Sequence, residues 1–144
     1  MNWKNEAIEK LQRYDVMRQA LRNIPDEINR LKEEAIALRS MGSGIRVRSS
    51  GGGQEDAWIN NIVRRQELER TLRQVRQWLD ITDPGLMALD ADERLILQRL
   101  YLYPQKGAID RLCAELGLEQ SSIYRKRDQA LHRFTAAIYG FLET

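Results

Sequence analysis

Apolar residues recur every third or fourth position through residues 3–39, and this spacing constrains the fold more than any other feature of the chain. The stripe runs Ala7, Leu11, Tyr14, Met17, Leu21, Ile24, Ile28, Leu31, Ala35 and Leu38. From Tyr14 onward the intervals alternate three and four, which makes a heptad seam along one face of a helix. The alternation of apolar and polar residues that marks a half-buried strand is absent, so the expected class is all-α. Pro25 interrupts the seam without changing its phase. Two arrangements fit: a break with Asn23 as cap and Pro25 in the first turn of a second helix, or one long helix kinked at the proline. Preserved phase favours the kink.

Residues 40–56, SMGSGIRVRSSGGGQED, are rich in glycine and serine, and their backbone entropy predicts a flexible loop. Arg46 and Arg48 lie in it with no acid before Glu55. The stretch reads either as a solvated linker or as a basic arm reaching DNA phosphates or the minor groove. A further long helix is expected over 57–80, with Ile59, Ile62, Leu68, Leu72, Val75 and Leu79 apolar. Arg64, Arg65, Arg70, Arg73 and Arg76 give it a cationic outer face. At ~1.5 Å per residue it spans about 36 Å, long enough to pack along the first seam as a helical hairpin or coiled coil. Trp58 and Trp78, near its ends, read as packing anchors. Asp83-Pro84-Gly85 is expected to break the helix. That places a boundary between a long-helix region over 1–84, expected to form a homodimer through its seam, and a second domain over 85–144.

The second domain centres on IDRLCAELGLEQSSIYRKR, residues 109–127. Ile109, Leu112 and Leu116 share one face of a short helix, and Cys113 is small enough to let a second helix cross close by. Gly117, four residues later, suits the left-handed position that ends a helix. Ile123 returns an apolar side chain to the same core. A small residue, glycine at plus four and a β-branched residue at plus ten is the spacing of a helix-turn-helix. Upstream, Asp90 and Glu93 form a capping-box start for a lead helix that carries Leu95, Ile96, Leu100 and Tyr101. Downstream, the second helix runs over 119–139 through Ala130, Leu131, Phe134 and Ile138.

A lead helix, a short helix, a turn and a long basic helix resemble region four of bacterial sigma factors. Residues 86–140 also resemble phage-encoded transcriptional regulators of the RinA and ArpU type. The matching residues are Glu93-Arg94, Tyr101, Lys106-Gly107, Asp110-Arg111-Leu112-Cys113, Glu115-Leu116-Gly117, Tyr124-Arg125, Ala130-Leu131 and Phe134-Thr135. Relative to sigma factors, Glu119 replaces a capping serine. Lys126 replaces an apolar residue, so its stem must snorkel along the core edge. The resemblance implies regulation of late phage genes or a prophage operon in a bacterial host's cytoplasm, alongside host RNA polymerase.

Gln120, Ser121, Tyr124, Arg125 and Asp128 lie opposite Ile123, Ala130 and Phe134 on the second helix, as one ridge of the width a major groove admits. Gln pairs with adenine and Arg forks onto guanine. A tyrosine ring contacts a thymine methyl or a sugar, and a serine hydroxyl takes a base or a phosphate. Lys126, Arg127 and Arg133 flank the ridge and suit phosphates, and Arg111 could hold the backbone on the other side. Asp128 reads as an internal partner for Arg125 or a neighbour. His132 reads as a surface residue and Cys113 as a small core residue.

Composition narrows the alternatives. Net charge is only +2, and residues 85–144 hold eight basic and eight acidic residues. Nucleic-acid binding must therefore rest on local clustering rather than bulk charge. No catalytic set is expected, because Cys113 and His132 fall on separate helices without an orienting acid. One cysteine and one histidine make neither a disulfide nor a structural zinc site, and no cofactor is implied. The triple glycine at 51–53 lacks a P-loop lysine. No stretch is apolar enough to span a membrane, and the N-terminus lacks a signal peptide's apolar segment. Two rivals to a regulator remain: a small-terminase-like DNA-packaging component, and a protein-only adaptor that docks on polymerase without touching DNA.

Overall fold

A computed structural model describes residues 2–44 and 53–140. Among these residues the protein is entirely helical: α1 (Trp3–Gly44), α2 (Gly53–Met87), α3 (Ala91–Leu97) with a π-helical turn (Gln98–Leu102), α4 (Ala108–Leu116) and α5 (Gln120–Tyr139). No described helix is long and apolar enough to cross a membrane. Arg46 and Arg48 lie outside the described residues. The helices reach into both ends of the expected loop, α1 to Gly44 and α2 from Gly53.

Helix α1 is continuous through Pro25, which removes the broken-helix alternative. A mid-helix proline forfeits one backbone hydrogen bond and costs about 3 kcal/mol. Here Ile24 and Ile28 are buried on either side of it, so seam burial outweighs the lost bond. Helix α2 likewise runs through Asp83-Pro84-Gly85, where the sequence predicted a break. Gly85 is buried, and a Cβ on it would lie 2.7 Å from Phe134 Cδ2 and 2.9 Å from Ile138 Cγ1. This glycine serves close approach between α2 and α5 rather than a turn. The helix ends after Met87, and the Arg94 guanidinium donates to the carbonyls of Leu86 and Leu89 near its last turn.

The contacts divide the chain into two compact units, a division that differs from the expected boundary at residue 84. One holds the residues up to Arg18 together with those from Gln77 on; the other is Gln19–Arg76. In the second, Ile24, Ile28, Leu31 and Ala35 are buried from α1, and Asn61, Leu72 and Val75 from α2. Asn61 Nδ2 donates to the Leu31 carbonyl at 2.8 Å and Gln54 Nε2 to the Leu38 carbonyl at 3.0 Å. Descending positions on α1 thus meet ascending ones on α2, so the two stretches run antiparallel. The seam on α2 is Trp58, Asn61, Arg65, Leu68, Leu72 and Val75, at intervals of three and four. Ile59, expected on the apolar stripe, is 53% exposed. The polar Asn61 hid the true phase; its Oδ1 accepts from Arg65 Nε at 2.9 Å, so both ends of the buried amide are satisfied. A single amide in an apolar seam discriminates against slipped registers.

In the first unit, Ala7 and Leu11 join Leu89, Leu97, Leu102, Ala130, Leu131 and Phe134 in one core. A second cluster holds Ile96, Leu112 and Ile123. Adjacent residues of α3, Ile96 and Leu97, thus serve different cores, and α3 is the wall between them. The Tyr14 hydroxyl donates to Asp83 Oδ1, and the Tyr14 ring lies 6.3 Å from that of Trp78. Burial, together with this carboxylate, pushes the Tyr14 phenol up to about 12.

Two outcomes follow. Replacing Gly85 by Ala gains about 1 kcal/mol of helix propensity, but overpacking against Phe134 costs roughly 1–3 kcal/mol. Gly85→Ala is expected to lower the urea midpoint, the reverse of an ordinary helical Gly→Ala change. The raised Tyr14 phenol favours the protonated form in the folded state. Its contribution is whole below about pH 10 and lost as pH rises towards 12. Thermal melts should show stability falling over this window, and Tyr14→Phe should flatten the fall.

Candidate nucleic-acid interface

The surface is built from α3, α4 and α5, each held by local chemistry legible in its residues. Asp90 caps α3: its Oδ1 accepts from the Glu93 N–H at 2.8 Å, and its own N–H donates to Glu93 Oε1 at 3.0 Å. The expected capping box is formed. Glu93 is buried, and Arg133 Nη1 donates to its Oε1 at 2.7 Å, so the buried charge is compensated. The π turn after α3 widens the helix by one residue. It directs Leu102 into the core with Phe134 while Leu100 packs on the Leu112 cluster.

Helix α4 buries Ala108 and Leu112. It ends at Gly117, at φ 66° and ψ 34°, whose N–H donates to the Cys113 carbonyl; the Leu118 N–H donates there too, at 3.2 Å. Both bonds converge on the one Cys113 carbonyl near the helix end, and the left-handed backbone turns the chain. Glu119 is extended and provides no side-chain cap. Its carbonyl accepts from the Ile123 N–H at 3.1 Å, starting α5. Cys113 is half-buried and packs with Leu116 and Leu118 on the Ile96–Leu112–Ile123 cluster.

With Ile123 at 0% exposure, the opposite side of α5 faces outward. Ser121, Tyr124 and Arg125 are exposed there, Gln120 is exposed on the first turn of the helix, and Arg111 is exposed on α4. Arg111 and Arg125 enter no ion pair with another described residue, and neither does the exposed Lys106 just before α4, which the sequence resemblance names without marking it as a DNA contact.

The other three cations expected to meet phosphates are engaged by the protein's own acids. Lys126 Nζ lies 3.4 Å from Asp92 Oδ2, its stem half-buried as the core-edge position required. Arg133 bridges Glu93 and, at 3.9 Å, Asp90 Oδ2. Arg127 donates through Nε and Nη2 to Asp128 Oδ1 at 3.1 and 2.9 Å. Its guanidinium carbon lies 4.9 Å from the Tyr124 ring centroid. Asp128 is therefore an internal partner, but of Arg127 rather than Arg125, and Lys4 Nζ from α1 reaches it at 3.4 Å. Lys4 is remote in sequence, so no local signal announces it. Burial works to raise the Asp128 carboxyl, but Arg127 and Lys4 together hold it below its ordinary value. His132 is exposed, with Trp3 packed edge-on at 5.7 Å between ring centroids.

The exposed row therefore presents an amide, a hydroxyl, an aromatic ring and a free guanidinium on one helix, with most neighbouring charges neutralised in pairs. Comparison with family models, with curated proteins and with solved structures finds no match for the chain.

The cap on α3 sets a pH dependence. The Glu93 backbone N–H, with Lys126 and Arg133 nearby, holds the Asp90 carboxyl below its ordinary value. Such a group stabilises the fold above its unfolded pKa, near 4, and that contribution is lost as pH falls through the lower folded value. Asp90→Asn keeps a capping oxygen and removes the titration. Melts between pH 5 and pH 2 should show a shallower acid loss in Asp90→Asn than in the unaltered protein.

Proposed function

We propose that this protein is a sequence-specific DNA-binding transcriptional regulator of phage or prophage late genes. In this reading α4, the Gly117 turn and α5 form a sigma-region-four-like helix-turn-helix, and α5 enters the major groove. The antiparallel helices of Gln19–Arg76 form a hairpin appended to it. The observation that carries the reading is the exposed row Gln120, Ser121, Tyr124 and Arg125 on a helix whose opposite side seals Ile123 completely. Those side chains match the donors, acceptors and apolar group that base edges offer in the major groove. The sequence resemblance to phage regulators supports the biological setting and a role beside host RNA polymerase.

One feature favours a second reading. Residues 85–144 carry equal numbers of basic and acidic residues, and Lys126, Arg127 and Arg133 are tied to internal acids. That pattern also suits an adaptor that docks on a protein and touches no DNA.

Selection of bound duplexes from a random pool separates the two. A regulator enriches a defined site, and Arg125→Ala weakens binding to it by about 1–3 kcal/mol. Among the described residues of the α4–α5 surface, Lys106, Arg111 and Arg125 remain for phosphates or bases, so this surface should contribute a shallow log–log salt slope, about −0.9 per phosphate neutralised. No enrichment, or unchanged binding by Arg125→Ala, overturns the reading.

A further inference from the structure

The sequence gives Arg127 the appearance of a phosphate contact, but its surroundings are those of a buttress. The side chain is only 26% exposed. Both its Nε and its Nη2 are committed to Asp128 Oδ1. Lys4 Nζ of α1 reaches the same Asp128 Oδ1, at 3.4 Å. The Arg127–Asp128 pair is thus tied to α1 through Lys4, and the Arg127 guanidinium carbon lies over the Tyr124 ring. To offer a phosphate the paired Nε and Nη2 donors, Arg127 would have to abandon both charge-assisted bonds to Asp128.

Its effect falls on Tyr124. A tyrosine on an exposed helix face ordinarily samples several rotamers, and ordering it on binding carries an entropic cost. A guanidinium anchored three residues on and facing the ring attracts its π face and holds the side chain in place. Tyr124, at 37% exposure, is the one large apolar surface on a ridge otherwise made of amide, hydroxyl and guanidinium. In the major groove the one apolar group a base pair offers is the thymine C5 methyl.

We propose that Tyr124, held by Arg127 on its Asp128–Lys4 support, determines specificity by contacting a thymine methyl, and that Arg127 is a positioning residue rather than a phosphate contact. This rests on the reading of α5 as a groove-entering helix. It adds one base-specific contact and removes one phosphate contact from that reading.

The test uses the full chain and the duplex enriched by selection, with each thymine replaced in turn by deoxyuridine, which lacks the methyl. The unaltered protein should lose affinity roughly fourfold at one position, the worth of about one buried methyl group. Tyr124→Ala should bind the two duplexes equally, whereas Tyr124→Phe should keep the preference. Arg127→Lys retains the charge but not the planar face or the paired donors. It should lose most of the thymine preference while leaving the salt slope unchanged. The Tyr124→Ala and Arg127→Lys effects should be non-additive when combined. Uracil tolerated at every position, or Arg127→Lys with full thymine preference, overturns the inference. So does Arg127→Ala with a salt slope shallower by about 0.9, the mark of a lost phosphate contact. In each of these cases Arg125→Ala still reports on the broader reading, which stands or falls separately. Failure to enrich any duplex overturns both.

Discussion

Covering the apolar side of α5 is the constraint from which the rest of the first unit follows. That helix presents Ile123, Ala130, Leu131 and Phe134 along its length, all without exposure, and no single neighbour covers them. Ile123 is sealed by Ile96 and Leu112, while Phe134 lies with Ala7, Leu11 and Leu89. Each buried side chain is worth on the order of 1.5–3 kcal/mol, so the helix cannot rotate without exposing several of them together. The outward direction of Gln120, Ser121, Tyr124 and Arg125 is the geometric complement of that burial.

The same demand explains two departures from simple local rules. Gly85 sits inside a helix, where glycine is unfavourable, because Phe134 occupies the space that a Cβ would need. The first turns of α1 pack against α5, far away in sequence, because Ala7 and Leu11 complete the pocket around Phe134. A boundary drawn from composition shifts alone cannot register such a contribution. The first eighteen residues belong with the C-terminal segment, although they continue the heptad spacing of the helix that follows.

Charge follows a comparable economy. The domain that carries the ridge is neutral, and most of its cations near α5 answer particular acids: Lys126 to Asp92, Arg127 to Asp128, Arg133 to Glu93. Exposed pairs of this kind contribute little stability individually, about 0–1 kcal/mol. The Arg133–Glu93 pair differs because Glu93 is buried and would otherwise hold an uncompensated charge. What these pairs do collectively is leave Arg125, among the described residues, as the guanidinium on the ridge without an ion pair. In the proposed function, selectivity then rests on a few side chains rather than on a broad positive field.

The sequence by itself determined what local energetics decide. Helical class follows from the three-and-four spacing. The cap at Asp90–Glu93 and the left-handed stop at Gly117 are set by residues within a few positions of each other. The burial of Ile123 follows from helical period once that turn is placed. Tertiary structure decided the rest. Local rules read Pro25 and Pro84-Gly85 as candidate breaks, yet both helices continue, because burial of Ile24 and Ile28 around one and the Gly85–Phe134 contact beside the other outweigh the backbone penalty. The true seam on α2 passes through Asn61, whose polarity conceals it until the Leu31 carbonyl is seen to receive its amide. Which arginine stays free on α5 depends on Lys4, Asp92 and Glu93 arriving from other elements. Hydrophobic period is a short-range property and survives in the sequence; the pairing of a charge with a distant partner exists only once the chain is folded.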